Sequence, residues 1–109
     1  MNKRISETPA GAVRSKALEQ ARAVSHCLRG ISHESRLSVL HLLRTGEKSV
    51  NALAEELGCP QPTLSQHLAV MRDRKILIGR REGNQIYYGV RDERVFELLD
   101  LFKSIFCQS

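Results

Sequence analysis

Apolar residues recur at the spacing of one buried helical face through the first part of the chain. The first stripe predicts a long helix that ends near Gly30, and it consists of Ala17, Ala21, Val24, Leu28 and Ile31. A second stripe predicts a helix that Ser32 or Ser35 caps and that stops at Thr45-Gly46. Its inward-facing residues are expected to be Leu37, Leu40, Leu42 and Leu43.

The next segment has the pattern of a helix-turn-helix. Ser49 is placed to cap a short helix that ends at Gly58, with an apolar face of Val50, Leu53, Ala54 and Leu57. Pro60 and Pro62 suit the first turn of the following helix, because residues there need no N–H donor. The apolar face of this second helix is Leu64, Leu68 and Met71. In a helix-turn-helix the second helix enters the major groove of DNA.

Two short runs rich in Ile, Tyr and Val then predict a two-stranded ribbon. They extend from Lys75 to Arg80 and from Gln85 to Val90, with Glu82-Gly83-Asn84 as the turn. Glycine and asparagine accept the positive backbone angles that hairpin turns require. A basic ribbon directly after a groove-binding helix is the arrangement of a winged helix. The predicted fold class is therefore mainly α with a small β-hairpin wing.

Polar and basic side chains cover the surface that this arrangement would turn toward DNA. Amides and hydroxyls read base edges or phosphates, and arginines contact phosphates. An amphipathic helix beside a solvated hairpin would give the same local pattern, but the preceding helix favours the DNA interpretation. The predicted DNA-binding residues are Gln61, Pro62, Thr63, Ser65, Gln66 and Arg72 on the helix, and Arg80, Arg81, Asn84 and Gln85 on the wing.

The last predicted helix is apolar over more than a narrow stripe. It opens at Asp92, and its apolar residues are Val95, Phe96, Leu98, Leu99, Leu101, Phe102, Ile105 and Phe106. A second copy of the chain is the simplest surface that buries such a helix. A twofold dimer would also present two recognition helices to successive half-sites. The alternative is that these residues complete the core of a monomer.

Size and charge agree with one small DNA-binding domain. The chain has 109 residues and a net charge of +5, which favours a polyanionic partner and leaves little room for a catalytic domain. No apolar run is long enough to span a bilayer, and the first residues lack the apolar core of a secretion signal. We therefore expect a cytoplasmic protein with no membrane partner. Its predicted parts are a flexible tail over residues 1–14 and one domain over residues 15–109.

The order of these elements resembles the ArsR/SmtB family of bacterial winged-helix repressors. The resemblance covers roughly residues 17–107 and depends on the segments ISHESRLSVLHLL, GEKSVNALAEELG, PTLSQHLAVMRD and RREGNQIYYGV. It implies a homodimer joined through the first and last helices that binds an imperfect palindrome in a promoter. It also implies that the repressor leaves this operator when it senses a chemical signal. By the same resemblance, the residues that meet the major groove are Gln61, Pro62, Thr63, Ser65 and Gln66, and those in the wing are Arg80, Arg81, Asn84 and Gln85.

The cysteines and histidines bear on which signal is sensed. Ser49-Val50-Asn51 stands where metalloid sensors of the family carry Cys-x-Cys, and Asp92–Cys107 lacks the histidines of the zinc sensors. Cys107 resembles the terminal-helix cysteine of the branch that senses persulfides and polysulfides. That branch has its partner cysteine in the second helix, where this chain has His41. Cys27 is the available substitute, because the first and last helices are expected to pack side by side in this fold and so to bring the two sulfurs close. The resemblance thus implies a thiol switch of Cys27 and Cys107 that reactive sulfur or an oxidant triggers.

Other interpretations stay open at this stage. Cys27 could be a small buried apolar residue, and Cys59 could fill the turn before the recognition helix. A metal- or metalloid-responsive repressor is the alternative function, with His26, His33 and His41 joining Cys27 or Cys107 as ligands. Because their spacing matches no strong metal signature, we predict no metal site and no cofactor.

Two further classes of protein fit the sequence less well. His26 and Cys27 are adjacent on a helix and point in different directions, and no phosphate-binding or oxyanion-type glycine loop accompanies them. We therefore expect no enzymatic activity. A pure dimerisation module would be favoured if the protein bound no promoter fragment.

Overall fold

The computed structural model describes residues 11–107, which are mainly helical. In chain order this part contains α1 (Gly11–Arg29), α2 (Glu34–Leu42), a 3₁₀ turn (Leu43–Thr45), β1 (Lys48–Ser49), α3 (Val50–Leu57), α4 (Gln61–Asp73), β2 (Leu77–Glu82), β3 (Gln85–Val90) and α5 (Arg94–Phe106). Helix α1 thus begins six residues before the predicted Ala17. Residues 1–10 lie outside the described part, so the flexible tail predicted for residues 1–14 stays a prediction.

The hydrophobic core lies where α2, α3 and α4 meet the sheet. Its buried residues are Val39, Leu40, Leu43, Leu53, Ala54, Leu64, Leu68, Met71, Leu77 and Tyr88. The buried face predicted for α4 is confirmed. The prediction for Leu37 is wrong, because this side chain is 39% exposed while Val39 is fully buried. Val39, Leu40 and Leu43 follow helical spacing, and Leu37 falls outside that stripe.

Local signals fix the ends of several helices. The Ser49 Oγ accepts a hydrogen bond from the Ala52 amide at 3.1 Å, which confirms the predicted cap of α3. Gly58 ends α3 in the left-handed conformation (φ 63°), as a glycine after a helix commonly does. The cap predicted for α2 is wrong: His33, not Ser32 or Ser35, accepts a hydrogen bond from the Ser35 amide through Nδ1 at 3.0 Å.

The wing belongs to a three-stranded antiparallel sheet in the order β1-β3-β2. Strand β2 begins two residues later than predicted and extends to Glu82, which pairs with Gln85, so the turn is Gly83-Asn84. The short strand β1 was not predicted, and it pairs Lys48 with Tyr88. The buried Tyr88 ring lies against the opposite Gly79, where an added Cβ would meet it at 2.8 Å. Gly79 thus leaves room for the Tyr88 ring, and the buried Tyr88 side chain joins the hairpin to the core.

Helices α1 and α5 leave most of their apolar residues exposed. In α1, Val24 and Leu28 are 56% and 48% exposed. In α5 no residue is buried, although Val95 and Leu99 pack against the core. The Arg44 guanidinium binds the Asp100 carboxylate at 2.7 Å and anchors α5 to the end of α2. Among the helices of residues 11–107, none is both long enough and apolar enough to cross a membrane.

Candidate nucleic-acid interface

Helix α4 buries one face and exposes the opposite one. Leu64, Leu68 and Met71 are at most 1% exposed and fix the helix against the core. Pro62 occupies the first turn, where its missing N–H costs no helical hydrogen bond. The helix residues predicted to bind DNA are all exposed: Gln61, Pro62, Thr63, Ser65, Gln66 and Arg72.

The exposed polar residues of α4 differ in their partners. The Gln61 amide donates a short hydrogen bond to the Asn51 side-chain oxygen and so joins the first turn of α4 to α3. Within residues 15–107, the side chains of Thr63, Ser65 and Gln66 have no hydrogen-bond partner. Their donors and acceptors are therefore available to form hydrogen bonds with base edges.

Arg72 lies at the border between the exposed and buried faces of α4. Its guanidinium is 3.2 Å from the Asp73 carboxylate, and this hydrogen bond raises its pKa, with a further contribution from Tyr88 of the wing. Arg72 therefore marks the flank of α4 that faces β3.

The positive charge of Arg80 is paired with two carboxylates of the same chain. Its guanidinium lies 2.9 Å from a Glu47 oxygen and 2.7 Å from a Glu82 oxygen, and these bonds, to Glu82 first, raise its pKa. It also stacks 5.0 Å from the centre of the Tyr87 ring. Arg80 pairs with Tyr87 across the hairpin, so both residues lie on the face opposite Tyr88.

Arg81 lies on the other face of the wing. It pairs with Ile86 and therefore shares a face with Leu77 and Tyr88, the face that packs toward the core and α4. Within residues 15–107, Arg81 has no ion-pair partner. Asn84 is exposed in the turn, and the neighbouring Gln85 is half-buried. Of the two wing arginines, Arg81 is the better placed to meet a phosphate.

A histidine cluster that the sequence did not predict lies on the other flank of α4. The rings of His33 and His67 stand 4.4 Å apart between centroids, and Arg36 Nε donates to His67 Nδ1 at 3.2 Å. Burial lowers the pKa of His67, and the neighbouring His33 and Arg36 lower it further. No motif signals this cluster, because Arg36 and His67 are 31 residues apart in sequence.

The C-terminal end of α1 is fastened to the same region. Arg36 Nη1 donates to the Arg29 carbonyl at 2.7 Å, and Arg74, which follows α4, donates to the His26 carbonyl at 2.5 Å. Arginines near a helix C-terminus satisfy carbonyls that have no partner within the helix. These two bonds therefore connect the C-terminal end of α1 to α2 and to the residue that follows α4.

The three cysteines lie on different elements of the fold. Cys27 is exposed on α1, so its interpretation as a buried core residue is wrong, and Cys107 is exposed directly after α5. Cys59 is half-buried in the turn before α4, where it packs against the core. Within one protomer α1 does not pack along α5 over the described residues, so the sequence expectation that these helices lie side by side is not met inside a single chain.

The histidines proposed as metal ligands occupy different sites. His26 contacts Arg74, His33 stacks on His67, and His41 lines an open groove between α2 and α3. Over the described residues, no three side chains of His, Cys, Asp or Glu come together in a way that could hold a metal ion.

Comparison with known proteins gives consistent matches over most of the chain. A family described as a helix-turn-helix domain matches residues 31–80. The Biofilm growth-associated repressor of Agrobacterium fabrum is 37% identical over 103 residues, which are 94% of this chain and 85% of the relative.

Solved structures of transcriptional regulators have the same fold as this chain. The transcriptional repressor BigR from Xylella fastidiosa is 35% identical with a TM-score of 0.72, over 88% of this chain and 98% of its own. A homodimeric winged helix-turn-helix DNA-binding domain from Mycobacterium bovis, described as a possible ArsR-family regulator, has a TM-score of 0.73 and 28% identity, over 90% and 89% of the two chains.

Proposed function

Because this chain belongs to the ArsR family of winged helix-turn-helix transcriptional regulators, we propose that it is a homodimeric repressor released from a palindromic operator by modification of its thiols. The family accounts for DNA binding and regulation, and its members are not enzymes. The dimer, the operator and the thiol switch are our inferences.

One observation carries the DNA-binding part of the proposal. Helix α4 is held by three fully buried side chains, while Thr63, Ser65 and Gln66 on its opposite face are exposed and have no hydrogen-bond partner within residues 15–107. A rigid helix with unsatisfied hydrogen-bonding groups suits direct readout in the major groove. The predicted wing residues Arg80, Arg81, Asn84 and Gln85 would then lie beside the DNA backbone.

The exposed apolar faces of α1 and α5 support a homodimer. Five large residues of α5 are more than half exposed, namely Leu98, Leu101, Phe102, Ile105 and Phe106. Contiguous apolar surface of this kind marks an interaction site. A twofold partner would cover the same face on both copies and place the two recognition helices on successive half-sites.

The exposure of Cys27 and Cys107 supports the thiol switch. A thiolate of one cysteine would attack a sulfane sulfur of a polysulfide, giving a persulfide and a shortened polysulfide. The second thiolate would attack the sulfur bonded to the first cysteine and expel hydrosulfide, which leaves a disulfide. The two thiols thus lose two electrons, which the sulfane sulfur gains. A bridge or persulfide on α1 and α5 would change the dimer geometry that sets the spacing of the α4 helices.

A promoter-binding assay tests the proposal. We expect tight binding of the promoter upstream of the protein's own gene, and release when polysulfide or peroxide is added. The Cys27→Ser and Cys107→Ser variants should stay bound under the same treatment, whereas Cys59→Ser, the matched control, should respond like the parent. Mass spectrometry of the treated protein should show the change on Cys27 and Cys107. If both serine variants are released like the parent, the thiol switch is wrong.

The same assay covers the metal alternative. Release by zinc or arsenite, with no effect of polysulfide, would favour a metal- or metalloid-responsive repressor. The cytoplasmic location stays a prediction, and it fits a thiol sensor because cytoplasmic cysteines are kept reduced.

A further inference from the structure

The pair of histidines beside α4 has a defined hydrogen-bonding state. Nδ1 of His33 accepts from the Ser35 amide at 3.0 Å, and Nδ1 of His67 accepts from Arg36 Nε at 3.2 Å. A neutral imidazole has one acceptor nitrogen and one N–H donor. Because both Nδ1 atoms accept, the proton of each ring is on Nε2. The pair therefore carries two N–H donors.

These donors are open to a ligand. Within residues 15–107, neither Nε2 atom has a hydrogen-bond partner, and no buried polar side-chain atom is left unsatisfied. His33 is exposed and His67 is half-buried, so the Nε2 atoms reach solvent. With ring centroids 4.4 Å apart, the two donors can serve oxygens of one small group.

The surroundings of the pair favour an anion. Arg36 contacts His67 directly, and its guanidinium is fixed beside the pair by a bond to the Arg29 carbonyl. Glu34, next to His33, is the acidic residue near the pair on α2, and it also lines the groove on the side of His41. A phosphate has several acceptor oxygens and a charge that Arg36 would stabilise.

The position of the pair points to DNA as the source of that phosphate. His67 and Arg72 are five residues apart, or about 140° around the helix axis, and they border the buried face of α4 on opposite sides. The wider arc of α4 between them, which carries Thr63, Ser65 and Gln66, is the one exposed to solvent. A helix in the major groove has a phosphate backbone along each flank. Arg72 and the wing lie on one flank, and the histidine pair lies on the other.

We propose that His33 and His67 form a phosphate-binding site that grips the DNA backbone on the α2 side of the recognition helix. Arg36 is the positioning residue: its bond to His67 sets the tautomer, and its bond to the Arg29 carbonyl fixes the guanidinium. This site rests on the proposed function, since it needs α4 to lie in the groove. It adds a second line of backbone contacts to those of the wing.

Substitutions by amide side chains distinguish the loss of the Nε2–H donor from a disturbance of the fold. In His67→Asn the amide oxygen replaces Nδ1 as acceptor for Arg36 but no donor reaches the Nε2 position, whereas in His67→Gln the amide nitrogen does reach it. We expect His67→Asn to weaken binding to operator and random duplex alike by about tenfold. His67→Gln should stay within about threefold of the parent. His33→Asn, which keeps a capping oxygen for the Ser35 amide, should lose affinity like His67→Asn while unfolding at the parent's temperature.

Two further measurements locate the contact. Neutral methylphosphonate linkages, introduced one at a time into the operator, should weaken binding of the parent at one backbone position per half-site and leave His67→Asn unaffected there. Ring ¹⁵N spectra should show Nε2–H tautomers for His33 and His67, and the Nε2 signals should move on adding operator DNA. Inorganic phosphate at the same concentration should move these signals little, because a free ion is not positioned beside the histidines by a bound duplex.

The possible outcomes are distinct. If the parent binds DNA but His67→Asn and His33→Asn bind equally well, the site is wrong and the proposed function stands. Equal losses in His67→Gln and His67→Asn would show that the ring matters for packing and not as a donor. If the parent binds no duplex even at low salt, both the proposed function and this inference fail.

Discussion

At the scale of single residues, Lys75 carries backbone strain. Among residues 11–107 it is the non-glycine residue with a positive φ, 62°. It ends α4 in a Schellman-type turn, in which the Ile76 amide donates to the Met71 carbonyl at 2.8 Å. Glycine is the usual residue at this position because a Cβ is unfavourable there.

Replacement of Lys75 by glycine should stabilise the protein. Relief of the left-handed strain is worth roughly 1–2 kcal/mol, and the added chain entropy of glycine costs roughly 0.5–1 kcal/mol. We expect Lys75→Gly to raise the free energy of unfolding by up to about 1 kcal/mol in urea denaturation at fixed protein concentration. Lys75→Ala is the matched control, because it removes the same charge but keeps the Cβ. Equal stabilities of the two variants would show that the strain at this turn is no larger than the entropy cost of glycine.

At the scale of elements, the wing presents two neighbouring arginines in different electrostatic states. Arg80 is paired with Glu47 and Glu82, whereas Arg81 lies on the face of Tyr88 and has no ion pair within residues 15–107. An arginine that already binds two carboxylates gains less from a phosphate, because it must give up those bonds.

Arg81→Ala should therefore weaken DNA binding more than Arg80→Ala. A lost phosphate contact lowers affinity for specific and random sequences alike and reduces the salt slope by about one per protomer. We expect this reduction for Arg81→Ala and a smaller one for Arg80→Ala, measured from dissociation constants at several salt concentrations. Gln66→Ala should instead weaken operator binding more than random binding. A larger slope change for Arg80→Ala would mean that the wing rearranges on DNA.

Elements were predictable from sequence where their cause is local. Ser49 caps α3 through an amide three residues away, and Gly58 ends that helix through its own backbone angle. Strand β1 has no local signal, since its two residues are ordered by pairing with Tyr87 and Tyr88 far along the chain. The contact of His67 with His33 and Arg36 was missed for the same reason.

At the scale of the whole molecule, the chain is extended for its length. Its radius of gyration is 17.6 Å, whereas a compact domain of this size has about 13 Å. Helices α1 and α5 contribute to this extension, because most of their apolar side chains are exposed and no element within residues 15–107 buries them. In the proposed homodimer, each protomer would contribute one DNA-binding surface, and the contact with the partner would set the spacing between the two α4 helices.

A charge introduced into the exposed face of α5 should separate the binding of one half-site from the spacing between the two α4 helices of the dimer. Phe102 is 51% exposed and stacks on Phe106 with ring centroids 4.7 Å apart. In Phe102→Glu a carboxylate would be buried without a partner in the dimer, so we expect monomers by analytical ultracentrifugation. Because linked half-site binding is lost, affinity for the full operator should fall by about 100-fold or more. Affinity for a single half-site should stay unchanged.

Glu97→Gln is the control for Phe102→Glu, since Glu97 is exposed on the same helix and the substitution adds no charge to the apolar face. It should remain dimeric and bind the full operator like the parent. If Phe102→Glu is still a dimer at micromolar concentration, the protomers associate through another surface. If it is a monomer and binds the full operator as tightly as before, the dimer does not set the spacing, and a bridge between Cys27 and Cys107 could not release the operator by altering it.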